Sequence, residues 1–147
     1  MDMRRVLTLI ILGSLLVGAS SLPASAAKKK RTVTDEWQVI AAPFPGAEDH
    51  SDPATECGLE DVSYTIHSFS TPGKGTLTTR LSGFEGEWDL YVTDGDGTLL
   101  GSSVNFMAGP EEEVTLKLPA KAEINIYACN FLGGPTADAD LKYTYKG

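Results

Sequence analysis

A chain of 147 residues is the length of one domain, and its 20 acidic against 12 basic residues leave a formal charge of −8. A field of that sign repels phosphate backbones, which excludes nucleic acid as the natural partner. The two cysteines, Cys57 and Cys129, form no Cys-x-x-Cys spacing, so zinc and dithiol redox chemistry have nothing to stand on.

Taken in order, the chain opens on the basic "MDMRR", continues through the uncharged apolar "VLTLIILGSLLVGA", and reaches the small residues of "SLPASAA". That layout predicts a signal peptide over residues 1–26, cut between Ala26 and Ala27. The apolar run falls short of the ~20 residues that span a bilayer. The product is therefore expected to be secreted or periplasmic, with no membrane span in its mature form. An even cysteine count in an exported chain reads first as a disulfide, so Cys57 and Cys129 are expected to pair. "KKKR" (Lys28 to Arg31) reads as a solvated tail, and residues 27–56 as a flexible N-terminal segment with one short strand near Trp37 to Ile40.

Residues 57–147 are predicted to be the folded domain, because alternation takes over there. "VSYTIHSF" sets Val62, Tyr64 and Ile66 against Ser63, Thr65 and a surface His67. "TLTTRL" sets Leu77, Thr79 and Leu81 on one face, and "WDLYVT" sends Trp88, Leu90 and Val92 one way and Asp89, Tyr91 and Thr93 the other. "VTLKL", "EINIYA" and "LKYTY" repeat the pattern, with Val114, Leu116, Leu118, then Ile124, Ile126, Ala128, then Leu141, Tyr143, Tyr145. A period of two rich in β-branched and aromatic residues marks half-buried strands. About seven or eight such strands must pack sheet on sheet to cover their apolar faces. The fold class is all-β: an antiparallel β-sandwich of jelly-roll kind.

The run Asp89-Leu90-Tyr91-Val92, the Asp96-Gly97 turn, Ser103 and "EEVTLKLPA" resemble the bacterial pre-peptidase C-terminal domain, a small β-sandwich module commonly appended to secreted peptidases. "GTLTTRL" is similar to the strand before that core, and "ADADLKYTY" to its closing strand; together they span about Asp61 to Tyr145. One departure is Ala120-Lys121-Ala122, where members usually carry a Gly-x-Tyr turn. The resemblance implies adhesion to an extracellular protein or polysaccharide, or assistance to a secreted partner, by a module exported without a peptidase.

The chemistry is read from the loops and outer faces. Asp94-x-Asp96-Gly97 begins like a calcium loop, but the sixth and twelfth positions are Leu99 and Asn105, so Asp-Gly hairpin chemistry is the better account. A calcium site remains the alternative, using Asp94 or Asp96 with acids of another loop, such as Glu48, Asp49 and Asp52. No cofactor is required; calcium is the one ion these oxygens would suit. Tyr91 and Tyr127 are expected to point away from the core; on neighbouring strands they would offer a ligand platform, but the favoured account is that they cover the second face or an edge of the sheet. No HExxH or G-x-S-x-G occurs, which favours a non-enzyme. The expected function is a secreted, non-catalytic binding or adhesion module. The rivals are a hydrolase inhibitor or accessory protein, and a structural envelope component.

Overall fold

The computed structural model describes residues 28–44, 57–58, 62–105 and 111–147. The expected signal peptide with its Ala26–Ala27 cut, and the acids Glu48, Asp49 and Asp52, fall outside the described residues. Eight strands follow one another: β1 (Lys30–Ile40), β2 (Tyr64–Ser70), β3 (Gly75–Ser82), β4 (Gly86–Asp94), β5 (Leu99–Ser103), β6 (Glu111–Leu118), β7 (Glu123–Gly133) and β8 (Thr136–Lys146). Among the described residues no helix is long and apolar enough to cross a membrane.

The strands form two antiparallel sheets of four, β1-β8-β3-β6 and β2-β7-β4-β5. First pairs with last, second with seventh, third with sixth and fourth with fifth. The chain is thus a long two-stranded ribbon rolled so that alternate pairs fall in opposite sheets, which is the jelly-roll topology.

Between the sheets lies the core expected from alternation. Leu77, Leu81, Trp88, Leu90, Val92, Val114, Ile124, Ile126, Leu141 and Tyr143 are buried together. At one corner β4 and β7 approach so closely that a Cβ on Gly86 would lie 1.9 Å from the Leu132 carbonyl oxygen, and one on Gly133 2.1 Å from that of Glu85. Both glycines also have positive φ (94° and 115°), so only glycine fits either position.

Two readings are corrected by the structure. The sandwich starts at Lys30, not at residue 57: β1 is an 11-residue strand paired along its whole length with β8. Its signal is weak because it is an edge strand, where Thr32, Thr34 and Asp35 dilute the apolar alternation. The faces of β2 are also exchanged. His67 and Phe69 stand opposite Ile126 and Ile124, on the inward face, whereas Tyr64 and Ile66 share the outer face with Cys129 and Tyr127. A second apolar cluster on that outer face, not the main core, takes Tyr64.

Candidate functional site

The outer face of β1-β8-β3-β6 is a grid whose rows are set by register. One row runs Thr32, Thr144, Thr76, Lys117, and the next Thr34, Lys142, Thr78, Thr115. Beyond one end stands Lys30 directly across from Lys146. Beyond the other come Glu36, Asp140, Arg80, Glu113, and then Gln38, Asp138, Ser82, Glu111. Outward hydroxyls meet across strands, with Thr78 and Thr115 oxygens 3.1 Å apart. Strand neighbours lie ~4.8 Å apart, so each row spans about 14 Å.

One face is therefore divided by charge. In the acidic half, Arg80 lies 3.4 Å from Asp140 and 3.6 Å from Glu111, so its guanidinium is matched locally. In the other half a groove of about 1000 Å3 is lined by Lys28, Lys30, Lys74, Lys117, Lys142 and Lys146, and among the described residues by no acidic side chain. Among the described residues none of these six makes an ion pair. Sequence reading missed this site. Apart from Lys28 and Lys30 in the "KKKR" run, each lysine sits singly in a polar strand position or turn, and only the order β1-β8-β3-β6 brings them together. The visible signal was the repeated Lys in "LKL", "LKY" and "YKG".

The residues singled out from sequence are placed elsewhere. Cys57 and Cys129 form a disulfide, Cα to Cα 5.1 Å, which ties the segment before β2 to β7. It packs with Tyr64, Tyr91 and Phe131 on the outer face of the second sheet. Tyr91 does stand beside Tyr127, on the face away from the main core. It is fully buried there and donates to Asp89 Oδ2 at 3.0 Å, so it offers no ring to a ligand. Cys57, held by the disulfide, packs with Tyr64, Cys129 and Phe131 around Tyr91 where the platform would be, and Tyr127 is left half-buried at the margin of that cluster.

"DGDG" is a turn. Asp94 Oδ1 accepts the N–H groups of Asp96 (3.0 Å) and Thr98 (2.8 Å), and Gly97 takes φ 88°. This Asx chemistry closes the β4–β5 hairpin with the oxygen that a cation would need. Among the described residues no three His, Cys, Asp or Glu side chains gather as metal ligands.

Groups able to carry chemistry are engaged in the fold. His67 stacks on Trp37 with ring centroids 3.9 Å apart, and its Nε2 lies 3.3 Å from Asp35, joining the edge strands of the two sheets. Glu112 is a buried carboxylate that accepts from the Ser103 hydroxyl and, at 3.1 Å, from the Asn105 amide. Burial lifts the Tyr143 phenol above its usual range, against a smaller downward pull from its hydrogen bond with Thr71.

No protein-family model and no curated protein matches the chain. Among solved structures it is similar to the pre-peptidase C-terminal domain of a collagenase from Bacillus anthracis, at 9% identity and a TM-score of 0.47, over 75% of this chain and 86% of that one. A periplasmic inhibitor of g-type lysozyme from Aeromonas hydrophila aligns at 11% identity and a TM-score of 0.39, over 84% and 90% of the two chains. A protein of the disulfide-linked pili of Bacillus endospore appendages aligns at 14% identity and 0.43, over 86% and 98%. The first of these is the kind of module that the strand and turn pattern resembles.

Proposed function

We propose that this chain is an exported, non-catalytic binding module that holds an extracellular protein or polysaccharide on the outer face of β1-β8-β3-β6. The observation that carries the reading is the groove of about 1000 Å3 on that face. Its floor is formed by paired strands, so the binding groups are preorganised and little ordering entropy opposes association. The groups suited to catalysis are committed to the fold: the thiols to each other, His67 to Trp37 and Asp35, Glu112 to Ser103 and Asn105. Export is supported by the signal-peptide pattern and by the disulfide, which persists in oxidising compartments.

The test is retention of the purified chain on cell-wall material and polymers of the spent medium. A Thr78→Trp variant would fill the floor of the groove from an outward strand position that tolerates aromatics. Loss of retention with an unchanged melting temperature is expected. Unchanged retention by a folded Thr78→Trp variant, or turnover of a substrate by the pure protein, would remove this reading.

A further inference from the structure

The geometry points to a linear anionic polysaccharide as the ligand of the lysine groove. This inference rests on the binding face proposed above and names the chemistry that the face takes.

Six ammonium groups converge in a chain whose net charge is −8. Lysines on edge strands have a simpler explanation, since they discourage edge-to-edge association. That explanation serves Lys30 on β1 and Lys117 on β6, the two edges of this sheet. It does not serve Lys142 and Lys146, which lie on the interior strand β8. Nor does stability account for Lys30 opposite Lys146, since like charges directly across a strand pair are destabilising. A like-charge cluster whose lining holds no acid among the described residues, and whose ammonium groups make no ion pair there, is complementary to an anion from outside.

The shape selects a chain over a point charge. From the Lys30–Lys146 pair to the row of Lys142 the patch extends four residues along β8, about 13 Å, and it is about 14 Å wide. Glu36, Asp138, Asp140, Glu111 and Glu113 close it at one end, so a polyanion must cross the strands and cannot run along them. Between the lysines stand Thr76, Thr78 and Thr144, hydroxyls that both donate and accept. Hydroxyls interleaved with cations suit a polymer that bears hydroxyl groups and acids on each repeat.

The same details disfavour nucleic acid and membrane. Single strands need free aromatic faces on which to stack bases. Among the described residues the one ring in the groove, Tyr145, is stacked on Tyr143 with centroids 6.0 Å apart. A bilayer surface laid on this face would meet its acidic half together with the lysines.

The experiment measures equilibrium binding of the full secreted chain to four labelled probes: a sulfated heparin oligosaccharide, an oligogalacturonate, a neutral dextran oligomer and a single-stranded oligonucleotide of matched charge. Vesicles containing phosphatidylglycerol form a fifth arm. Binding of both anionic glycans, or of one, supports the inference and identifies sulfate or carboxylate as the anion. With about four lysines engaged, affinity should fall roughly 50-fold between 50 and 200 mM salt. K117Q/K142Q should weaken binding about 30-fold and flatten the salt slope by about two. K121Q removes a lysine outside the groove and should leave affinity within about twofold. Loss in K121Q per charge equal to that in K117Q/K142Q would overturn the inference. So would dextran, oligonucleotide or vesicles binding as tightly as the anionic glycans, or no glycan binding at 50 mM salt. Retention on cell-wall polymers that is lost in Thr78→Trp but kept in K117Q/K142Q overturns the anionic ligand alone and leaves the binding face standing.

Discussion

Reduction of the Cys57–Cys129 bridge isolates one term in the stability of this fold. The bond joins residues 72 positions apart, and a loop of that length restricts the unfolded chain by about 4.4 kcal/mol at 25 °C in the chain-entropy account. Reduction leaves both sulfurs in place, so the packing of Cys57 and Cys129 against Tyr64, Tyr91 and Phe131 persists in the native state. The loss should therefore be almost wholly that unfolded-state term. For a folded part of roughly 120 residues, 4.4 kcal/mol corresponds to about 17 °C in melting temperature. The assay is thermal unfolding followed by circular dichroism, with and without a phosphine reductant, after thiol labelling has shown that the oxidised protein has no free cysteine. Tyrosine fluorescence reports whether the cluster around Tyr91 loosens before the sandwich melts. A shift of only a few degrees would refute the reasoning, because a bridge of this span can be that weak only if the unfolded chain retains structure or the native bond is opposed by strain.

Asp94→Ala removes the acceptor of two turn N–H groups and should cost about 1 kcal/mol, with no dependence on millimolar calcium at matched ionic strength; a calcium-induced rise in melting temperature that vanishes in this variant would show the turn to be a metal site. Thr71 is buried, donates to the Pro119 carbonyl at 2.7 Å and accepts from the Ala122 N–H at 2.8 Å, so Thr71→Val should cost about 2–3 kcal/mol by chemical denaturation. Lys121, between them, holds φ 59°, and Lys121→Gly should stabilise by about 0.5–1 kcal/mol; a loss of stability would count against strain at that position. The raised Tyr143 pKa means that the folded state holds its proton more tightly than the unfolded chain. Its contribution is fully present below the ordinary value of 10.0 and is lost as pH rises through the folded value, so alkaline unfolding should be less steep in Tyr143→Phe.

Local chemistry decides whatever depends on neighbours in sequence, and in this chain that was a good deal. The alternation of Leu77, Thr79 and Leu81, of Trp88, Leu90 and Val92, and of Ile124, Ile126 and Ala128 reports strands with one face inward, because successive side chains must leave a strand on opposite sides. Asp-Gly at residues 96–97 reports a hairpin because glycine tolerates the positive φ adopted there. The pairing of the two cysteines was legible from their even number together with the expectation of export.

Which face of a strand is inward depends instead on what covers the other side, and that comes from remote segments. Tyr91 follows the polar alternation of β4, yet it is buried because the disulfide brings Cys57 into a cluster with it, Tyr64, Cys129 and Phe131. Tyr64 and His67 exchange roles for the same reason: two apolar clusters compete for β2, one on each side of its sheet. β1 was hardest to read because an edge strand draws most of its stability from pairing with β8, not from its own apolar residues. The lysine groove lay furthest from sequence. Lys30, Lys74, Lys117 and Lys142 are scattered over more than a hundred residues and are individually ordinary strand and turn lysines. They become a site only when the rolled ribbon sets β1, β8, β3 and β6 side by side, since an electrostatic field sums over distance in space and takes no account of separation along the chain.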